Sequence, residues 1–168
     1  MILRKARPED LPEILRILEE AKITIGALGI DQWQKGYPNE ASVREDLEKK
    51  RSYVAEAEGT VCGTFVLVTD EPTYRIIDGA WLSGTENREY YALHRVAVAC
   101  SHRGTGVAEA IVAHAKEEAR LRGFSSLRID THEGNLPMRK MLTKNGFTPC
   151  GTIRLANGDP RIAYEIMI

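Results

Sequence analysis

The sequence predicts a mixed α/β fold, a sheet of about seven strands with four helices on its faces. Three observations carry this prediction. Apolar residues recur at helical spacing in separate segments, β-branched and aromatic runs lie between them, and turn residues punctuate the boundaries. Read in order, the elements run β-α-α-β-β-β-α-β-α-β-β. The 168 residues fit one domain spanning 1–168, with no internal repeat or low-complexity linker.

Residues 1–6 read as a short strand. Asp10-Leu11-Pro12-Glu13 resembles a capping box, and Leu11, Ile14, Leu15, Leu18 and Ala21 follow at helical spacing. After a loop over 29–38, Ser42-Val43-Arg44-Glu45 offers a second capping box for a helix ending near Lys50. Tyr53 to Ala57 and Val61 to Val68 are strands joined by a tight turn at Gly59-Thr60. Residues 69–89, interrupted by Pro72, Gly79 and Gly84, lack a regular pattern, and an irregular stretch of that length points to function. Tyr90 to Val98 is a strand, Gly106 to Arg122 a helix stopped by Gly123, and Leu127 to Thr131 a strand. Leu136 to Lys144 forms a helix ended by Asn145-Gly146. Phe147 to Leu155 and Arg161 to Ile168 then pair across Asn157-Gly158-Asp159.

Composition excludes several function classes. Hydrophobic residues make up 43% and charged residues 28%, with a net charge of -1, so no basic excess drives nucleic-acid binding. Residues 1–100 hold 13 basic and 17 acidic side chains, net −4, whereas residues 101–168 hold 10 and 7, net +3. That split suits a protein handling a cation at one end and an anion at the other. The three cysteines are scattered without zinc-like spacing, so no metal site and a reducing, cytoplasmic setting are expected. No run approaches a membrane span, and the N-terminus lacks a signal-peptide pattern.

The chemistry concentrates at Leu93-His94-Arg95-Val96-Ala97-Val98 and the turn Arg103-Gly104-Thr105-Gly106-Val107-Ala108 that opens the next helix. Strand, glycine turn and helix start make an anion site, because unpaired N–H groups converge there with the positive end of the helix dipole. Neither a GxxxxGK[ST] loop nor a complete GxGxxG fingerprint is present, the latter failing at Glu109. The segment instead resembles the pyrophosphate loop of the GNAT (Gcn5-related N-acetyltransferase) superfamily, [QR]-x-x-G-x-[GA], with Arg103, Gly106 and Ala108 in register. Asn135, Gly146 and Phe147 match the family's N-x-x-A-x-x-x-Y-x-x-x-G-F at the right offsets, with Met138 for the small residue and Leu142 for the tyrosine. Arg7-Pro8-Glu9-Asp10-Leu11-Pro12 is similar to the family's opening, and the element order is the family's order.

The resemblance implies a mostly antiparallel sheet in which two neighbouring parallel strands, Tyr90 to Val98 and Leu127 to Thr131, splay apart. It implies acetyl-CoA as co-substrate, without a metal. The pantetheine arm would pair near Val96, Ala97 and Val98, and the pyrophosphate would sit on Arg103, Gly104, Thr105, Gly106, Val107 and Ala108. Asn135 would reach the pantetheine. The activity implied is direct transfer of an acetyl group to a primary amine, on a small molecule or a peptide. Neither nucleic acid nor membrane would be a partner, and the dimers common in the superfamily make a homodimer one expectation. Two alternatives stand beside this reading: a CoA-binding regulatory module without turnover, kept open by Leu142, and a transferase using another acyl group or a hydroxyl acceptor.

Candidate acceptor residues are Trp33 and Tyr37, in a loop that in the family covers the acceptor mouth, with Glu86 and Glu89 to steer a cation. A general base must deprotonate the ammonium. His94 is the first candidate, since alternation along the strand places it on the side of Val96 and Val98. His132 is the second. With the family tyrosine replaced, the acid for the departing thiolate would be His132, Tyr91 or solvent. His114 reads as solvated helix surface, His102 as an exposed or phosphate-facing loop residue, and Cys100 as unreactive for want of a base. Tyr164 reads as sheet packing, and Trp81 as a weaker pocket candidate than Trp33.

Overall fold

In the computed structural model, which describes residues 1–168, the strands are β1 Ile2–Lys5, β2 Ser52–Ala57, β3 Thr60–Thr69, β4 Asp78–Gly79, β5 Tyr90–Val98, β6 Ser126–Thr131, β7 Thr148–Arg154 and β8 Pro160–Met167. The helices are α1 Leu11–Gly26, α2 Glu40–Glu48, α3 Val107–Leu121 and α4 Leu136–Lys144. The eight strands form an open mixed sheet in the order β1-β2-β3-β5-β6-β8-β7-β4. The strand beyond the expected seven is β4, whose two residues pair with Gly151 and Thr152 of β7 and are too few to show a periodicity. The chain folds as two compact units.

The first unit comprises Met1–Leu67 and His94–His114. β1 and β2 pair antiparallel from Ile2↔Glu56 to Lys5↔Tyr53, and β2 continues antiparallel onto β3. The β2–β3 turn puts Glu58 and Gly59 at φ 52° and 77°, the left-handed pair that matches hairpin twist. Ile14, Ile17, Leu18 and Ala21 of α1 bury one stripe against Val43 of α2, Val54 of β2, Val61 of β3, and Ala97 and Ala99.

Both expected capping boxes move. Asp10 is helical and caps nothing in α1. Its carboxylate instead takes both terminal nitrogens of Arg4, at 2.7 and 2.9 Å, and the Arg7 N–H at 2.7 Å. A bidentate arginine outcompetes a single cap bond. For α2 the cap is Asn39, three residues earlier than expected: its Oδ1 accepts from Ser42 N, and Ser42 Oγ accepts from Asn39 N, both at 3.0 Å.

The second unit comprises Val68–Leu93 and Ala115–Ile168. β5 and β6 run parallel through Tyr90↔Ser126, Tyr91↔Leu127 and Ala92↔Arg128, while β6–β8, β7–β8 and β4–β7 are antiparallel. The irregular segment 69–89 is tied down rather than loose. Tyr74 and Trp81 bury their rings with Tyr90, Ala92, Ile153 and Ala163, and Trp81 Nε1 donates to Tyr74 O at 2.9 Å. At the centre lies a fully buried ion pair, Arg128 Nε to Glu165 Oε1 at 3.0 Å. The Arg128 guanidinium is held over the Trp81 and Tyr90 rings, 4.3 and 4.0 Å from their centroids. Ser83 and Ser126 donate their hydroxyls to Glu165, at 2.6 and 2.7 Å, which fixes the segment onto β6 and β8.

Candidate active site

β5 opens the site. Inside this strand Arg95 has φ 49°, a left-handed residue that interrupts the extended backbone as a bulge does. The break has a consequence for His94: alternation cannot be carried across Arg95, so it no longer places His94 on the face of Val96 and Val98. His94 and Val98 are half-buried, Val96 is buried, and the Ala97 methyl lies in the first unit's core. The far end of β5 is pinned where Ala99 N donates to Cys62 O of β3 at 2.8 Å.

The following loop, residues 99–106, is shaped for an anion. His102 N donates to Ala99 O at 2.9 Å, Thr105 Oγ1 donates to His102 O at 2.7 Å, and Cys100 N donates to Glu20 Oε2 of α1 at 2.7 Å. The Cys100 N–H holds the Glu20 carboxyl below the usual carboxylate range, against desolvation, with Arg16 adding to the effect. Gly104 and Gly106 have φ 75° and 89°, where a Cβ is strained, and no protein atom lies within 4 Å of where a Cβ would stand. The loop thus bares its backbone on an open side. α3 begins at once, with Ala110 N bonding Gly106 O at 3.0 Å, and the first N–H groups of a helix have no i−4 carbonyl within it. Val107 is buried and can offer only its N–H, whereas Arg103 is exposed. These residues fit the pyrophosphate of a CoA thioester: two glycines admit it, and a helix N-terminus stabilises it.

α3 is seated by Gly63 of β3, where a Cβ would come within 2.9 Å of Val107 Cγ1 and 3.3 Å of Ile111 Cδ1. One turn further on, His114 is not solvated surface. Its ring is edge-on to Tyr53 and Phe65, with centroids 5.7 and 6.1 Å away.

The loop between α1 and α2 meets β5 at the bulge. Tyr37 is 46% exposed, and its hydroxyl accepts from Arg95 Nη1. Arg95 also grips Asp46 of α2 with a two-pronged bond, Nε to Oδ2 and Nη2 to Oδ1, both 2.7 Å. Trp33, at φ 62°, packs half-buried on the first unit's core and so anchors the loop. The same unit therefore holds the anion loop, the His94–Val98 part of β5 and the candidate acceptor loop.

Two comparisons bear on this geometry. The family model described as "Acetyltransferase (GNAT) family" matches residues 11–147. The chain belongs to the GNAT acetyltransferase family.

Among solved structures, a GNAT family acetyltransferase from Streptococcus agalactiae 2603 is 31% identical, with 99% of this chain and 95% of that chain covered and a TM-score of 0.84. A ribosomal-protein-alanine N-acetyltransferase from Brucella melitensis is 23% identical over 100% of both chains, TM-score 0.72. The Escherichia coli ribosomal-protein-S18-alanine N-acetyltransferase is 14% identical, covering 99% of this chain and 93% of its own, TM-score 0.67. The last two share the fold. No curated protein matches the chain.

The remaining candidates of this GNAT chain lie in the second unit. Asn135 is buried, and its side chain caps α4 by accepting from Met138 N at 3.3 Å. His132, half-buried, accepts the Gly134 N–H at Nδ1, 2.9 Å away. Glu86 and Glu89 are exposed in the segment before β5. Leu142, at the family's tyrosine position, is completely buried. Tyr91 is buried against Phe124, and its hydroxyl accepts from Arg122 at 3.3 Å. Trp81 and Tyr164 are core residues, Tyr164 accepting from Arg139 Nε at 3.1 Å. Sequence reasoning missed Arg95 and Asp46. A signal for Arg95 was present, since it is a permanent charge in the apolar run Tyr90 to Val98.

Proposed function

We propose that residues 1–168 form one acetyltransferase domain that moves an acetyl group from acetyl-CoA directly to a primary amine on a small molecule or peptide. The observation that carries this is the open glycine loop, Gly104 to Gly106, running from a bulged strand into the N-terminus of α3. Arg103 to Ala108 would hold the pyrophosphate, the backbone of Val96 to Val98 the pantetheine, and Asn135 would assist. Acetyl-CoA supplies an activated acyl thioester. A strand N–H near Val96 would stabilise the carbonyl oxygen as charge develops on it. Tyr37, with Trp33 behind it, orients the acceptor, and Glu86 and Glu89 draw in a cation.

A primary amine of pKa near 10.4 is about one-thousandth unprotonated at pH 7.4, a cost of roughly 4 kcal/mol before attack, so a base is needed. His94 takes that role in this reading. His132 suits the opposite one. Its Nδ1 already accepts from Gly134, so the neutral ring carries its hydrogen on Nε2 and can hydrogen-bond to a departing thiolate there, while solvent supplies the proton. A second reading, a CoA-binding module without turnover, is favoured by one observation: buried Leu142 offers no hydroxyl where the family has its acid.

Calorimetry with CoA tests the loop. Gly106→Val should abolish binding, and Asn135→Ala should weaken it by about 1 kcal/mol for one lost hydrogen bond. Normal affinity in a folded Gly106 variant would remove the main support.

A further inference from the structure

We propose that Arg95 is a positioning residue that sets acceptor affinity by strutting the 31–38 loop against the bulge of β5. This rests on the acetyltransferase reading above. Every side-chain nitrogen of Arg95 is committed: Nε and Nη2 to Asp46, and Nη1 to the Tyr37 hydroxyl, with the guanidinium carbon 5.8 Å from the Tyr37 ring centroid. The side chain is only 11% exposed, and Asp46 only 1%. Three of the five guanidinium N–H groups are thus engaged by Asp46 and Tyr37. Its work is to fix what it touches.

What it touches are two neighbouring elements, both far from Arg95 in sequence. Asp46 belongs to α2 and Tyr37 to the loop, while Arg95 itself carries the left-handed backbone at φ 49° within β5. Glycine would adopt that conformation without strain, yet an arginine occupies it. Backbone strain persists where surrounding contacts over-determine it, and it clusters at functional sites. Here the over-determining contacts are the fork on Asp46 and the bond to Tyr37. Only a planar guanidinium serves both at once, whereas a lysine ammonium cannot span the carboxylate edge.

The second partner of Asp46 makes the strut testable. Arg51 Nε also donates to Asp46 Oδ1, at 2.7 Å. Removing Arg95 therefore leaves the buried carboxylate paired, and the fold survives. Arg95→Gly also retains the left-handed backbone, so the variant removes the strut alone.

The experiment compares wild type, Arg95→Gly, Tyr37→Phe and the double variant. Hydrogen exchange is followed across the chain. Kinetics use the best acceptor from spermidine, free amino acids, an aminoglycoside and an alanine-leading peptide. Arg95→Gly should speed amide exchange in residues 29–39 by about tenfold without changing residues 99–110. It should raise the acceptor KM about tenfold and leave the acetyl-CoA KM unchanged. Tyr37→Phe should cost several-fold alone and nothing further in the Arg95→Gly background, since the pair acts as a unit. Arg95→Lys should behave as Arg95→Gly. Unchanged loop exchange, or an unchanged acceptor KM, would overturn the proposal. A wild type with no turnover would instead defeat the acetyltransferase reading, and the exchange comparison, which needs no acceptor, would still decide whether the strut exists.

Discussion

His132 receives the Gly134 N–H at Nδ1, so a base at this position would have to surrender that bond before accepting a proton there. In the proposed reaction this divides the work, with His94 taking a proton from the amine and His132 hydrogen-bonding the departing sulfur through Nε2–H. His94→Ala should lower kcat by about a hundredfold, with CoA affinity preserved. His132→Ala should lower kcat less, because a thiol of pKa near 8.5 leaves as thiolate with only modest help. Turnover and CoA calorimetry of both variants check this, and an unchanged kcat in His94→Ala would remove that histidine from the mechanism. The histidines were legible in the sequence as residue types, but their geometry was not. Alternation argued for His94, yet a left-handed arginine one residue later breaks the alternation, and no local pattern announces it. Arg95 pairs with Asp46 across 49 residues of chain, and sequence spacing carries no information at that range.

The anion loop depends on how α3 is carried. Gly63 lets the first turns of α3 lie against β3, and a Cβ there would come 2.9 Å from Val107 and 3.3 Å from Ile111. Gly63→Val should therefore cost about 1–3 kcal/mol by overpacking and, by displacing the start of α3, also weaken CoA binding. Thermal unfolding and calorimetry on one preparation check both effects. Loss of stability with normal CoA affinity would show that the helix start tolerates the shift. Elements bounded by strong local signals were read closely: the expected β5 and α4 match the structure residue for residue, and α3 starts and stops within a residue of expectation. Those signals are helical periodicity and glycines at the stops. The α2 cap was misplaced because Asn39 and Ser42 are both good N-caps and only the backbone decides between them.

Across the whole molecule, the second unit is organised by a charge pair that sequence reading did not foresee. Burial pushes the Glu165 carboxyl up, but hydrogen bonds from Ser126, Ser83 and Arg128 outweigh it and hold the group below the usual range. A carboxyl lowered on folding contributes stability that is present above its unfolded pKa, about 4.3, and is lost as pH falls through the folded value. Asp10, lowered by its bond to Arg4, acts in the same direction in the first unit. Glu165→Gln should strand Arg128 as an uncompensated buried charge, cost roughly 3–5 kcal/mol at neutral pH, and flatten the acid limb of the melting curve. An unchanged Tm would contradict this. How the segment 69–89 is held was not legible, because its partners Arg128 and Glu165 lie on strands after residue 125. The charge division, net −4 and +3, was legible, and the anion loop falls at its boundary. The most direct measurement is free-thiol release from acetyl-CoA, with mass analysis of the acceptor, across spermidine, free amino acids, an aminoglycoside and an alanine-leading peptide. The acetyltransferase account predicts amine-dependent thiol release with one acetyl group gained on nitrogen, lost in Gly106→Val. Tight CoA binding with no amine raising thiol release above the buffer rate would contradict it.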